Sequence, residues 1–185
     1  LSSIASAVFA MDAVTWLVSH MAADKKFDIR LEAAMAKLFC TEESWKIVDQ
    51  TMQVRAGRGY ETGPSLKGRG VAAYPVERAM RDSRINTILE GSSEIMHLFI
   101  ARESLDFHMT KIKRLIDPKA SVMGRLGAFI KMSFDYMLWY PPLWLPSLGA
   151  GAGFPKPLDS HAKFVTKASK RLARDLFHRM MLYQQ

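Results

Sequence analysis

Apolar positions recur at helical spacing along most of the chain. Ile4, Val8, Met11, Thr15, Val18 and Ala22 step by threes and fours, and Leu31, Ala34, Leu38, Trp45, Val48 and Met52 continue in the same rhythm. No glycine or proline precedes Gly57, and the segment is rich in Ala, Met, Leu, Glu and Lys, the residues that lose least on entering a helix. Two long helices are predicted, about 1–22 and 29–55, turned at residues 23–28. Their apolar stripes suit antiparallel packing.

After Arg55 the pattern breaks. The run AGRGYETGPSLKGRGVAAYP holds five glycines and two prolines in twenty residues, which predicts a long surface loop. Pro75 then suits the first position of a helix to about Asp82, and a short connector runs from Ser83 to Gly91. Ser92 or Ser93 is a good N-cap for a helix over about 93–108, with Ile95, Leu98, Phe99 and Arg102 setting its period. Beyond Asp117-Pro118, the residues Val122, Leu126, Phe129 and Ile130 predict a helix to about Trp139, stopped by Tyr140-Pro141-Pro142. The run LWLPSLGAGAGFPKP carries too many breakers for regular structure. A final helix over about 159–182 places Lys163, Lys167, Lys170, Arg171 and Arg174 on one side and Phe164, Ala168, Leu172 and Leu176 on another. No strand pattern or repeat intervenes. The expected fold is all-α: an antiparallel helical bundle over residues 1–109 and a helical extension over 110–185.

Charge sharpens this division. The net +8 is unevenly placed: 13 Lys and Arg face 14 Asp and Glu in residues 1–109, but 13 face only 4 in residues 110–185. An anionic partner is therefore expected at the C-terminal segment. There is no uncharged apolar run of eighteen residues or more and no signal-peptide pattern, so no membrane span is expected. The single cysteine, Cys40, cannot form an internal disulfide, and its helical setting favours an inert packed thiol over a reactive one. The chain starts at Leu1 inside an apolar helical pattern, and is expected to be a piece of a longer protein.

Little of the sequence points to a familiar site by spacing alone. Gly57-Arg58-Gly59 lacks the preceding strand and the third glycine of a dinucleotide fingerprint, since Thr62 stands there. There is no phosphate-binding loop, no zinc-ligand spacing and no Ser-His-Asp arrangement, and the five histidines are scattered. Glu90 differs, because it precedes Gly91 and a capped helix start. Its carboxyl and its own N–H could both face a ligand near a positive helix end, or it could be an ordinary exposed carboxylate. Spacing leaves both readings open.

Three ordered motifs add a further indication. Gln53-Val-Arg-Ala-Gly-Arg-Gly-Tyr60, Tyr74-Pro-Val-Glu-Arg-Ala-Met-Arg-Asp82 and Ile88-Leu-Glu-Gly-Ser-Ser-Glu-Ile95 together resemble the C-terminal helical domain of the acyl-CoA dehydrogenases. The resemblance covers about residues 1–108, and residues 110–185 look like the extension of the very-long-chain branch. It implies an FAD-dependent enzyme that desaturates a fatty acyl-CoA between the α and β carbons and passes electrons to an electron-transferring flavoprotein, as a homodimer or homotetramer. It places the α-proton-abstracting base on Glu90. The developing enolate would be held by the Glu90 N–H and a ribityl hydroxyl of FAD. Flavin contacts fall on Gln53, Gly57 and Gly59, toward the cofactor of a neighbouring subunit, and on Ser92 and Glu94. Ser92 stands where the family has Thr, and Glu94 where it often has Gln or Asp. Lys67 and Arg69 lie in a longer loop and could meet a phosphate or solvent. Arg81-Asp82 looks structural. The resemblance implies that the family's N-terminal helical domain, its β-domain and the first helix of this domain lie outside the chain.

The extension admits two readings. Residues 139–179 could form a peripheral contact with an anionic membrane, or Trp139, Trp144 and Phe154 could pack under the dehydrogenase core with the lysines in solvent. Nucleic acid is not expected, since no binding module accompanies the lysines. A bacterial cytoplasm or a mitochondrial matrix would suit the whole protein. A non-catalytic helical scaffold or membrane-docking module that keeps the motifs is the competing reading; yellow colour and dye reduction with long-chain acyl-CoA in the full-length protein would separate it from the enzyme.

Overall fold

A computed structural model describes residues 1–24, 28–146 and 153–182. The expected turn at 23–28 falls partly on residues 25–27, and the breaker-rich run partly on 147–152, outside the described residues. Every described element is helical, in two compact units, Leu1–Ser104 and Leu105–Gln185.

The first unit is built along α2 (Arg30–Arg55). On one side lies α1 (Ser2–Ala23), with the Cys40 thiol 3.9 Å from both the Thr15 hydroxyl and the Met11 carbonyl. Cys40 thus belongs to the α1–α2 seam. The apolar face of α2 is as expected: Leu31, Leu38, Trp45, Val48 and Met52 are half-buried and Ala34 is buried. On α1 the seam is Ile4, Ala7, Met11, Val14, Val18 and Met21, so Ala7, Val14 and Met21 replace the expected Val8, Thr15 and Ala22, which are exposed. The helix is apolar on nearly every side, so its composition does not single out one stripe.

By length and composition α1 is the one described helix able to cross a membrane, which the uncharged-run criterion passed over because Asp12 sits at its middle. That carboxylate and the packing against α2 suit a bundle helix.

The glycine-rich stretch is not one loop. It holds two short helices, α3 (Gly57–Tyr60) and α4 (Gly63–Gly68), the latter with Pro64 in its first turn and Leu66 fully buried. Burial of Leu66 anchors what propensity alone would leave irregular. Next, α5 (Val76–Asn86) starts one residue after Pro75, which occupies the N-cap, and runs four residues beyond Asp82. It lies antiparallel to α2: the Ser83 and Ser44 hydroxyls meet at 3.1 Å, and the Arg84 guanidinium sits 5.3 Å above the Trp45 ring. Arg81 pairs with Glu77 at 2.9 Å and Asp82 with Arg78 at 3.6 Å. These exposed pairs contribute about 0.3–0.5 kcal/mol each.

Helix α6 (Ser93–Ile116) continues eight residues past the expected end, since no glycine or proline interrupts it before Pro118. The second unit takes up its end together with α7 (Val122–Trp139), a tight 3-10 turn at Pro141–Leu143, and α8 (Lys156–Leu182). The Ser121 hydroxyl caps α7 by accepting from the Gly124 N–H at 3.1 Å. Pro157 stands in the first turn of α8, where its missing N–H is harmless. The core is aromatic. Tyr136, Trp139 and Phe177 surround His108, which is 5% exposed and lies 2.7 Å from the Tyr136 hydroxyl. Lys111 pairs with Asp135 at 2.8 Å on its edge.

The faces of α8 differ from expectation. Phe164 and Leu172 are 70% and 60% exposed, while Lys170 and Arg174 are half-buried. Arg174 lies 3.9 Å above the Trp144 ring, and the Lys170 ammonium donates to the Leu145 carbonyl at 3.1 Å. Long basic side chains thus cover the aromatic segment with their stems.

Candidate functional site

Glu90 sits in the turn between α5 and α6. Its φ is +54°, and Gly91 follows at +96°. A glutamate in the left-handed region costs about 1–3 kcal/mol and persists only where the surroundings hold it. Those surroundings are identifiable. The Ser93 N–H donates to the Thr87 carbonyl at 3.1 Å, closing the loop, and the buried Thr87 hydroxyl donates to the Arg84 carbonyl at 2.9 Å. From α2, the Lys37 ammonium donates to the Gly91 carbonyl. The Glu90 carboxylate is exposed, and neither it nor the Glu90 N–H has a hydrogen-bond partner among the described residues. Ile88 and Leu89, both more than half exposed, flank it. A free carboxylate and a free N–H on one residue, beside apolar surface, can remove a proton and stabilise a neighbouring oxyanion.

Ser92 and Glu94 share this turn. The Ser92 hydroxyl accepts from the Ile95 N–H at 3.5 Å, a long cap to α6. The Glu94 carboxyl is held below the usual carboxylate range by its own N–H first, then by the Ser92 hydroxyl, with Arg84 and His97 adding to the effect. It is thus engaged as a first-turn cap of α6.

Gln53, Gly57 and Gly59 form a separate cluster at the other end of α2. Gln53 lies sixteen residues beyond Lys37, roughly 24 Å along the helix. The structure does not bring the two clusters to one reacting centre. At the α2–α3 junction Ala56 has φ +51°, and among the described residues Ala56 and Glu90 are the two non-glycines at positive φ. Both strained positions therefore fall in the motifs. Gly59 is buried, and a Cβ there would lie 2.6 Å from the Met52 carbonyl oxygen; at Gly57 a Cβ would meet nothing within 4 Å. Gly59 is thus explained by close packing on α2, whereas Gly57 leaves backbone open to a ligand.

A cavity of about 560 Å³ opens beside Gly57, with Arg55, Arg58, Glu61 and Arg69 in its wall. Arg69 pairs with Glu61 at 2.5 Å, and Arg55 lies 4.9 Å from the Tyr74 ring centre with its buried Nε unsatisfied. Three guanidinium groups against one carboxylate, an orphaned donor and an open glycine fit the anionic part of a dinucleotide such as FAD. Arg55, Arg58 and Lys37 were not apparent as site residues from the motifs. Lys37 had a signal: it is a charge between Ala34 and Leu38 on the apolar face of α2.

The family model for the acyl-CoA dehydrogenase C-terminal domain matches residues 1–105. The chain belongs to the acyl-CoA dehydrogenase family. It is 44% identical over its whole length to a Mycobacterium tuberculosis protein named "Probable acyl-CoA dehydrogenase FadE10", of which it spans 29%. The "Very long-chain specific acyl-CoA dehydrogenase, mitochondrial" of Mus musculus matches 40% of the chain at 39% identity, over 10% of its own length. The "Isobutyryl-CoA dehydrogenase, mitochondrial" of Dictyostelium discoideum matches 40% of it at 47% identity, over 16% of its own length. No solved structure matches the chain. The mycobacterial match runs through the extension as well as the dehydrogenase bundle.

A second surface lies within the second unit. A cavity of about 470 Å³ has a floor of Leu143, Trp144, Leu145 and Pro146 and a basic wall of Lys163, Lys167, Lys170, Arg171 and Arg174. Trp139 packs inside this unit, while Trp144 and Phe154 are more than half exposed. The large apolar residues of α7 are also open, Met137 at 72% and Phe134 at 60%.

Proposed function

We propose that the chain is the C-terminal part of an FAD-dependent acyl-CoA dehydrogenase that desaturates fatty acyl-CoA in β-oxidation, with Glu90 as the base that takes the α-proton. The observation that carries this reading is the exposed, unpartnered Glu90 carboxylate, with its own N–H also free, in a strained turn of a family member. The Glu90 N–H donates to the thioester oxygen as negative charge develops there. Ile88 and Leu89 exclude water beside the acyl chain. FAD, when bound, supplies a two-electron acceptor for the β-hydrogen.

Gln53, the open Gly57 backbone and the guanidinium groups of Arg55 and Arg58 would hold the dinucleotide, with Gly59 seating α3 and with Ser92 and Glu94 bordering the Glu90 turn. The roughly 24 Å of α2 between Lys37 and Gln53 supports a homodimer or homotetramer in which each chain contributes its Gln53 end to the flavin of a neighbouring subunit. Electrons would leave to an electron-transferring flavoprotein. The mitochondrial and mycobacterial relatives support a mitochondrial matrix or a bacterial cytoplasm. In the full-length protein, Glu90→Gln is expected to lower desaturation of long-chain acyl-CoA roughly 10²–10⁴-fold while yellow colour is retained. Unimpaired turnover would refute the assignment.

The basic cavity beside Trp144 favours one further role, a peripheral contact of residues 139–179 with an anionic membrane. Neutralising Lys163, Lys167, Lys170, Arg171 and Arg174 together is expected to abolish co-sedimentation with anionic vesicles, since each basic residue near the surface contributes about 1 kcal/mol. Unchanged binding would remove this role.

A further inference from the structure

We propose that Lys37 is a positioning residue for the reaction: its ammonium, donated from α2 to the Gly91 carbonyl, fixes the Glu90 turn in the conformation that presents the base. This rests on Glu90 being that base.

The turn needs an external restraint. Two successive residues, Glu90 at φ +54° and Gly91 at +96°, adopt the left-handed region, which a glutamate does not choose when free. The local bonds, from Ser93 to Thr87, from Thr87 to Arg84 and from Ile88 and Leu89 to Ile85, tie the loop to its flanking helices α5 and α6 and not to α2. Lys37 supplies that tie across 54 residues of sequence. It is half-buried on the packed side of α2, with Ala34 and Leu38 beside it, and a charged donor gives the stronger class of hydrogen bond to a carbonyl.

The neighbouring contacts extend the same antiparallel register along α2. Tyr74 lies by Arg55, Ser83 by Ser44, Arg84 by Trp45, and Gly91 by Lys37. Gly91 is the last of these rungs, and the one adjacent to the carboxylate. With the Lys37 bond gone, the α5 contacts would persist and the turn alone would be free to relax. Kinetics should therefore suffer through placement of the base, with folding largely spared.

The test uses the full-length flavoprotein with Lys37→Met, Lys37→Arg and, in parallel, Glu90→Gln. Lys37→Met is expected to lower kcat roughly 10- to 100-fold, with KM, flavin content and melting temperature little changed. Lys37→Arg, which keeps a charged donor, should recover most of the loss. Amide hydrogen exchange across residues 87–96 gives a readout that does not depend on the base assignment. It should accelerate about tenfold in Lys37→Met and far less in Lys37→Arg. Wild-type kcat with wild-type exchange in Lys37→Met would overturn the proposal, as would a loss of kcat that merely follows loss of folded protein in both variants. An active Glu90→Gln would instead overturn the base assignment, leaving the exchange result to judge whether Lys37 holds the turn.

Discussion

The two motif glycines on α3 have different physical reasons, and substitution separates them. Gly59→Ala would drive a Cβ to 2.6 Å from the Met52 carbonyl and 2.9 Å from its Cα, both backbone atoms that cannot swing aside. A loss of about 1–3 kcal/mol of stability is expected, read by denaturant unfolding. Gly57→Ala meets open space, so stability should hardly change; a bulkier Gly57→Val should instead weaken flavin binding in the full-length protein. Equal destabilisation by Gly57→Ala and Gly59→Ala would contradict this division. The motif singled out both glycines but could not separate their roles, because the neighbour that needs Gly59 bare is a carbonyl seven residues earlier on another helix. Glu90 was likewise legible as a position. Its left-handed backbone and its tie to Lys37 were not, since both depend on how the turn meets α2.

Among the elements, α2 was legible in its extent and in the seam Leu31, Ala34, Leu38, Trp45, Val48 and Met52, although it also exposes Met35, Phe39 and Val54. By contrast, α1 offered several equivalent stripes, and the seam through Ala7, Val14 and Met21 is decided by its partner. Helices α3 and α4 were hidden by glycine and proline, which lower intrinsic propensity while tertiary burial decides the outcome. The anchor of α4 is Leu66, the one large side chain fully buried among the described residues. Leu66→Ala is expected to cost about 2–5 kcal/mol and to loosen the wall that carries Arg69, read as a lower melting temperature together with weaker flavin retention. A change of less than 1 kcal/mol would mean that α4 is held by something else. The inward Lys170 and Arg174 and the outward Phe164 and Leu172 of α8 come from the same limit on reading a single helix. Its wheel separates charge from apolar residues, but Trp144, which draws Arg174 inward, lies thirty residues upstream.

At the scale of the whole molecule, charge divides the chain as the two compact units do, a near-neutral dehydrogenase bundle and a basic extension. The second unit rests on an aromatic core around one titratable group. Burial first, and the nearby Lys111 ammonium second, lower the His108 pKa from its ordinary 6.5. The fold therefore favours the neutral imidazole. Its contribution to stability is fully present above about pH 6.5 and is lost as pH falls through that value toward the lower folded pKa, because the unfolded chain takes up the proton first. Exchange protection in α7 and α8 should therefore fall on acidification from pH 7.5 to 5.5, and His108→Phe should flatten that dependence. A profile that stays steep in His108→Phe would assign it to another group.

Removal of the α-proton by Glu90 can be followed on the proton itself. The full-length protein is incubated with acyl-CoA in D2O, and deuterium incorporation at the α-carbon is read by mass spectrometry for the wild type and for Glu90→Gln at equal flavin content. The wild type should exchange the α-hydrogen, and Glu90→Gln should bind the same acyl-CoA yet exchange it at least roughly 10²-fold more slowly. Equal exchange in the two proteins would mean that Glu90 is not the base.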